Sequence, residues 1–113
     1  KLSFQMERVL LNSELVLRVV RDYYADGRLV AAICGAPTVL ATADIAKGCR
    51  VTCHASVVAE MTGYNVVGGR VVENGNLITA AGAGVSIDFA LAIASRLVDS
   101  ETMLRVQQGM MVI

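Results

Sequence analysis

From Ser13 onward the pairs Leu15/Val16, Val19/Val20 and Tyr23/Tyr24 recur every four residues, with Glu14, Arg18, Arg21 and Asp22 between them. That period places the apolar pairs along one side of a helix and the charges on the other. Gly27 ends the helix, because glycine accepts the left-handed backbone found at helix termini. Leu29 to Ile33 is a short, unbroken apolar run, the pattern of a strand buried on both faces in a parallel sheet. A second helix is expected from Pro37 to Ala46. Proline fits a first turn, where its missing N–H would have no intrahelical acceptor, and Gly48 supplies the stop.

Arg50 to Cys53 reads as another short strand, and Ser56 can cap a helix through Met61 that ends at Gly63. Gly68-Gly69 predicts a turn. Val71-Val72-Glu73 and Leu77-Ile78-Thr79 flank Asn74-Gly75, a dipeptide suited to the positive backbone angles of a tight hairpin. The small-residue loop Ala80 to Gly84 leads into an apolar helix from Ser86 to about Val98, and Ser100 or Asp99 caps a last helix through Gln108. Strands alternating with helices predict an α/β fold. Internal repeats and low-complexity tracts are absent from the sequence.

Composition narrows the function. A chain of 113 residues suits one domain with a core, and 55% apolar against 18% charged residues excludes disorder. Ten basic residues balance ten acidic ones, without the basic footprint of a nucleic-acid binder, so neither DNA nor RNA is an expected partner. The longest apolar runs, near Leu29 to Cys34 and Phe89 to Ser95, fall well short of the roughly 20 residues of a membrane span. Lys1 to Arg8 shows neither a signal-peptide pattern nor an initiating methionine, which leads us to expect an upstream portion and a cytoplasmic protein. Three cysteines, Cys34, Cys49 and Cys53, are an odd number in a chain with enough apolar residues for a core. This argues against a disulfide scaffold and for a reducing compartment. Cys49, Cys53 and the only histidine, His54, lie close together, but no second pair completes the four ligands of structural zinc. No metal is expected.

The stretch richest in chemistry runs from Ala31 to Leu40, where a buried strand ends at Cys34 and the small residues Gly35 and Ala36 open a helix at Pro37. A side chain on such an elbow projects above the sheet, and small neighbours let a substrate approach the backbone N–H groups of Gly35 and Ala36. The positive end of a helix also favours a thiolate. The alternative is a buried core cysteine, common for this residue type. His54 has the same two readings: a satisfied structural group, or a site residue at the C-terminal edge of a parallel sheet. The loop Gly82-Ala83-Gly84-Val85-Ser86 has neither a P-loop lysine nor a full dinucleotide fingerprint, and reads as a tight turn.

At the elbow the sequence resembles a known family. Ala31-Ala32-Ile33-Cys34-Gly35-Ala36-Pro37-Thr38-Val39-Leu40 is similar to the cysteine elbow of the ThiJ/PfpI superfamily, in the branch of the Parkinson-disease-associated deglycase and its bacterial thiazole-named relatives. Val51 to His54, the hairpin Arg70 to Thr79, and Gly82 to Ile93 follow in the family's order, and agreement runs from about Val9 to Gln108. The resemblance implies a flavodoxin-like three-layer sandwich with a mostly parallel sheet. Residues 1–113 would be the C-terminal portion of one ThiJ/PfpI domain, without the family's N-terminal β-α-β portion. That portion carries a glutamate beside the reactive cysteine and a Gly-Gly loop. The expected partners are therefore the N-terminal portion of the same precursor as a separate chain, a second copy of the assembled domain as a homodimer, and a small carbonyl substrate.

For function, the resemblance implies cofactor-independent glyoxalase or deglycase chemistry on reactive dicarbonyls or their early protein adducts. Cys34 would be the nucleophile, His54 a general acid/base or orienting group, and Pro37, Ala83 and Gly84 the pocket. Ala83 and Val85 stand where this branch carries Pro and Thr, which puts substrate preference in doubt. The alternative reading is a redox-sensing protective chaperone that uses oxidation of Cys34. The peptidase branch has histidine directly after its cysteine, where this chain has Gly35, and amidotransferases need a late His-x-Glu pair, whereas no histidine follows His54. Cys53 reads as packing or a secondary redox thiol.

Overall fold

A computed structural model of the chain describes residues 8–113. Lys1 to Glu7, read above for a targeting signal, lie outside the described residues. After a helical turn at residues 8–11, Ser13 caps helix α1 (Glu14–Ala25), its hydroxyl accepting the Val16 N–H at 3.3 Å, and Gly27 leaves the helix at φ 75°. Strand β1 (Val30–Ile33) follows, then helix α2 (Thr38–Ala43), strand β2 (Arg50–Val51), a 3-10 turn over Ala55–Glu60, and strand β3 (Asn65–Val66). Strands β4 (Val71–Asn74) and β5 (Leu77–Ala80), a 3-10 turn over Ala83–Val85, and helices α3 (Ser86–Leu97) and α4 (Ser100–Gly109) complete the order. The fold is α/β, as the alternation predicts.

The main sheet runs β1-β5-β4, with β1 parallel to β5 (Val30 opposite Leu77, Ile33 opposite Ala80) and β4 antiparallel to β5. β2 and β3 pair in parallel as a second, two-stranded sheet. Leu77, Ile78, Thr79 and Ala80 are all buried, so β5 is the spine of the sheet. Leu77 joins Leu40, Val51, Cys53, Val57 and Met61 in the main core, while Leu17 of α1 packs with Val39 and Ala43 of α2 in a smaller one.

Several boundaries differ from the sequence pattern, each for a local reason. α2 stops at Ala43 rather than Ala46 because Asp44 turns left-handed at φ 57° and its N–H closes onto the Leu40 and Ala41 carbonyls. Asp tolerates that conformation better than most residues. The hairpin loop is Gly75-Asn76, one residue later than predicted. Asn74 stays paired opposite Leu77, only Gly75 takes positive φ (60°), and the Asn76 amide is held by the Arg28 carbonyl at 2.8 Å and the Tyr24 carbonyl at 3.2 Å. The strand predicted over Arg50–Cys53 is regular only at Arg50–Val51, and its partner β3 was not foreseen.

On α1 the buried side is Val16, Leu17, Val20 and Tyr24, leaving Leu15 62% exposed together with Val19 and Tyr23. Residues one apart on a helix are about 100° apart, so the predicted double stripe wraps beyond one contact face. β1, expected to be buried on both faces, is fully buried only at Ala32, and Ala31 is exposed. Helix α3 has no fully buried residue, with Ile87 53% and Leu97 69% exposed. Arg96 on α3 holds Glu73 of β4 at 3.0 Å. Among the described residues no helix is long and apolar enough to cross a membrane.

Candidate active site

Cys34 follows β1 directly, at φ 65°. A side chain in that left-handed conformation costs about 1–2 kcal/mol, and it persists only where the surroundings over-determine it. Here both sides of the residue are tied down. Its N–H donates to the Ala80 carbonyl at 2.9 Å and its carbonyl accepts the His54 N–H at 2.7 Å. The turn beyond it is locked by Thr38, whose buried hydroxyl donates to the Gly35 carbonyl at 2.7 Å while its N–H reaches the same oxygen at 3.2 Å. Thr38 escaped the sequence reading, although a threonine three residues after an elbow glycine is the recognisable signal of such a back-bond.

The two predicted oxyanion donors are not equivalent. The Ala36 N–H is donated to the Ile33 carbonyl at 3.0 Å, so it is committed to the turn. No backbone carbonyl among the described residues takes the Gly35 N–H. Pro37 is fully buried and heads α2.

His54 follows directly from the backbone that reaches Cys34. Its Nδ1 accepts the Ser56 N–H at 3.1 Å and lies 2.8 Å from the Ser56 hydroxyl. A backbone N–H can only donate, so Nδ1 presents its lone pair and the neutral ring carries its proton on Nε2. The histidine thereby caps the 3-10 turn over Ala55–Glu60, the role assigned to Ser56 on sequence. Its Cδ2 edge faces Gly82, where an added Cβ would lie 3.8 Å away.

An open cleft of about 680 Å³ adjoins this edge, lined in part by Thr52, Cys53, His54, Arg70, Gly82 and Gly84. Gly84 thus stands in a cleft wall; neither Cys34 nor Ala83 lines it. Gly68 and Gly69 also line the cleft, and a Cβ on Gly69 would come within 2.9 Å of Val72 Cγ2, so a larger residue there would force a shift. Arg70, which periodicity did not single out, brings a cation to the cleft and pairs with Asp88 at 3.3 Å. Thr52 and Thr79 anchor the site from below: the Thr79 hydroxyl, fully buried, accepts the Thr52 N–H at 2.9 Å.

All three cysteines are free thiols, Cys53 buried and Cys34 and Cys49 partly exposed. Burial first, and then the electrostatic influence of neighbouring Cys34, push the Cys53 thiol above its ordinary range. Cys49 lies apart, its sulfur 3.7 Å from the Tyr24 hydroxyl. Among the described residues no group of three or more His, Cys, Asp or Glu side chains is placed to hold a metal ion.

A cysteine on a strained, doubly tethered elbow thus lies just past a parallel strand, with a histidine on the adjoining segment. The sequence profile of the DJ-1/PfpI family matches residues 5–96. The chain belongs to the DJ-1/PfpI family. It is 39% identical over 106 residues to Protein DJ-1alpha of Drosophila melanogaster, covering 92% of this chain and 49% of that protein. It is 38% identical over 81 residues to the glutathione-independent glyoxalase DJR-1.2 of Caenorhabditis elegans, covering 70% of this chain and 43% of that one. The crystal structure of Drosophila melanogaster DJ-1beta superposes with a TM-score of 0.88 at 37% identity, over 93% of this chain and 57% of that one. The DJ-1/PfpI chain described here therefore has the family's flavodoxin-like α/β fold, and it spans about half the length of the curated relatives it matches.

Proposed function

We propose that this chain supplies the reactive-cysteine portion of a DJ-1/PfpI enzyme that acts, without a cofactor, on reactive dicarbonyls or their early protein adducts. The Cys34 thiolate adds to the aldehyde carbon, forming a C–S bond as the carbonyl π electrons move onto oxygen to give a hemithioacetal oxyanion. The Gly35 N–H is positioned beside that oxygen as a donor, and His54, with its proton on Nε2, moves a proton or orients the adduct. The observation that carries this reading is the strained φ of 65° at Cys34, kept by bonds to Ala80 and His54. Kinship with a glutathione-independent glyoxalase supports the substrate class.

The active unit is proposed to be cytoplasmic and larger than residues 1–113: a C-terminal domain portion completed by the N-terminal portion of the same precursor as a separate chain, in a homodimer. The exposed apolar flanks at Leu15, Val19, Ile87 and Leu97 support a covering partner. Consumption of methylglyoxal, followed with the chain alone and with the N-terminal portion of a family member supplied, tests the reading. Loss of at least about 100-fold in Cys34→Ser is expected for a missing nucleophile; a Cys34→Ser variant as active as the parent would end it. A second reading, redox-sensing protection through oxidation of Cys34, is favoured by the part-exposed thiol of Cys34 with Cys53 near it.

A further inference from the structure

We propose that Cys34 and Cys53 form an intramolecular disulfide under hydroperoxide, Cys34 being oxidised first and Cys53 resolving it. The relation between the two residues comes from the backbone. The His54 N–H bonds to the Cys34 carbonyl at 2.7 Å, and Cys53 is joined to that nitrogen through its own carbonyl carbon. Adding the covalent spans on either side caps the Cα separation of Cys34 and Cys53 at about 7.5 Å, and any bend in the path shortens it. Disulfides span Cα separations of about 4.4–6.8 Å. The two segments are also tied nearby by the Thr52 N–H on the Thr79 hydroxyl, which keeps residues 52–54 against the sheet.

The two thiols differ in the way such a pair requires. Cys34 is partly exposed and open to a small oxidant, whereas Cys53 is 7% exposed, packed with Leu40, Val57 and Met61. Burial first, and then the neighbouring Cys34, push the Cys53 thiol above its ordinary range, so the inner cysteine competes poorly for oxidant. The Cys34 thiolate attacks one oxygen of the hydroperoxide, the O–O bond breaks, and hydroxide (from hydrogen peroxide) leaves; the product is a neutral sulfenic acid. Cys53 sulfur then attacks the Cys34 sulfur, the S–O bond breaks, and the departing oxygen leaves as water with the thiol proton and the sulfenic proton. Two electrons have passed from two thiols to one peroxide. The disulfide is reversible by thiols, and it diverts Cys34 from the irreversible sulfinate.

The inference rests on Cys34 being nucleophilic, but it is read by mass rather than by turnover, so its failure and the failure of the carbonyl chemistry are separable. Intact mass after hydrogen peroxide, quenched with an alkylating agent without reductant, should show a species that takes an alkyl group at Cys49 alone and is otherwise about 2 Da lighter, mapping to a Cys34–Cys53 link and reversing with a phosphine. Cys49→Ser should behave the same way. In Cys53→Ser that species should vanish and Cys34 should instead gain about 32 Da. A parent protein that goes straight to the heavier form at Cys34, or a disulfide that maps to Cys49, would overturn the proposal. If Cys53→Ser does not fold, the Cys49→Ser protein alone decides: a monomeric species about 2 Da lighter that takes no alkyl group and is recovered by the phosphine supports the disulfide, and a heavier, unrecovered Cys34 refutes it.

Discussion

Replacing Cys34 with glycine should leave a more stable protein than replacing it with alanine, although both lose the thiol. The elbow holds residue 34 at φ 65°, which costs a residue with a Cβ about 1–2 kcal/mol. Alanine keeps that cost and glycine removes it. Against this, glycine loses more backbone freedom on folding, about 0.5–1 kcal/mol relative to alanine. The difference leaves Cys34→Gly ahead of Cys34→Ala by roughly 0.5–1 kcal/mol. A domain of this size shifts its Tm by about 4–8 °C per kcal/mol, so the gap is large enough to see by thermal or urea unfolding followed by circular dichroism. Cys34 is only partly buried, so the methyl lost with glycine forfeits little packing. A Cys34→Ala variant equal to or more stable than Cys34→Gly would show that the elbow stores no strain, and would remove the main physical argument that this cysteine is held for chemistry.

Thr79→Val keeps the shape of a fully buried side chain but strands the Thr52 N–H that now reaches its hydroxyl at 2.9 Å; it should cost about 1–3 kcal/mol in urea unfolding. Thr79→Ser keeps the acceptor and should cost less, and the reverse order would refute the role of the bond. Burial first, and then the charges of Asp44, Cys49 and Tyr24, push Tyr64 from an ordinary 10.0 up to about 12, while its hydroxyl donates to the Ile45 carbonyl at 2.5 Å. The folded value is the higher one, so this stability is complete below pH 10 and is lost as pH rises towards 12. Denaturation midpoints measured across that window should fall more steeply for the parent than for Tyr64→Phe, and parallel curves would contradict the assignment.

Wherever a single backbone rule governed, the sequence was a good guide. Gly27 and Asp99 mark helix ends as expected, the latter through its carboxylate accepting the Thr102 N–H at 2.7 Å. The hairpin and the strand leading to Cys34 were legible from apolar runs and turn residues. What escaped were features set by residues far apart in the chain. Asn76 moved the hairpin loop by one position because its amide is claimed by carbonyls of Tyr24 and Arg28, and no local pattern reports that. β3 has two residues and exists only because β2 lies beside it. At the site, Cys34 and His54 were visible as motif residues, but the commitment of the Ala36 N–H and the capping role of His54 depend on hydrogen bonds that spacing does not reveal. Arg70 was hidden for a similar reason, since a hairpin arginine is normally only solvated surface.

The parallel pairing of β1 with β5 has a consequence for the order in which the protein assembles. Val30 and Leu77 meet across 47 positions of chain, and such long closures carry an entropy cost that must be met before the contacts can repay it. Helix α1 and the β4–β5 hairpin are local and can form early; the Cys34 N–H finds the Ala80 carbonyl only after the long closure is made. A partly folded or damaged chain therefore presents Cys34 as an ordinary, relaxed cysteine. The strained elbow comes into being only with the completed sheet, so folding itself acts as the safety catch on the thiol.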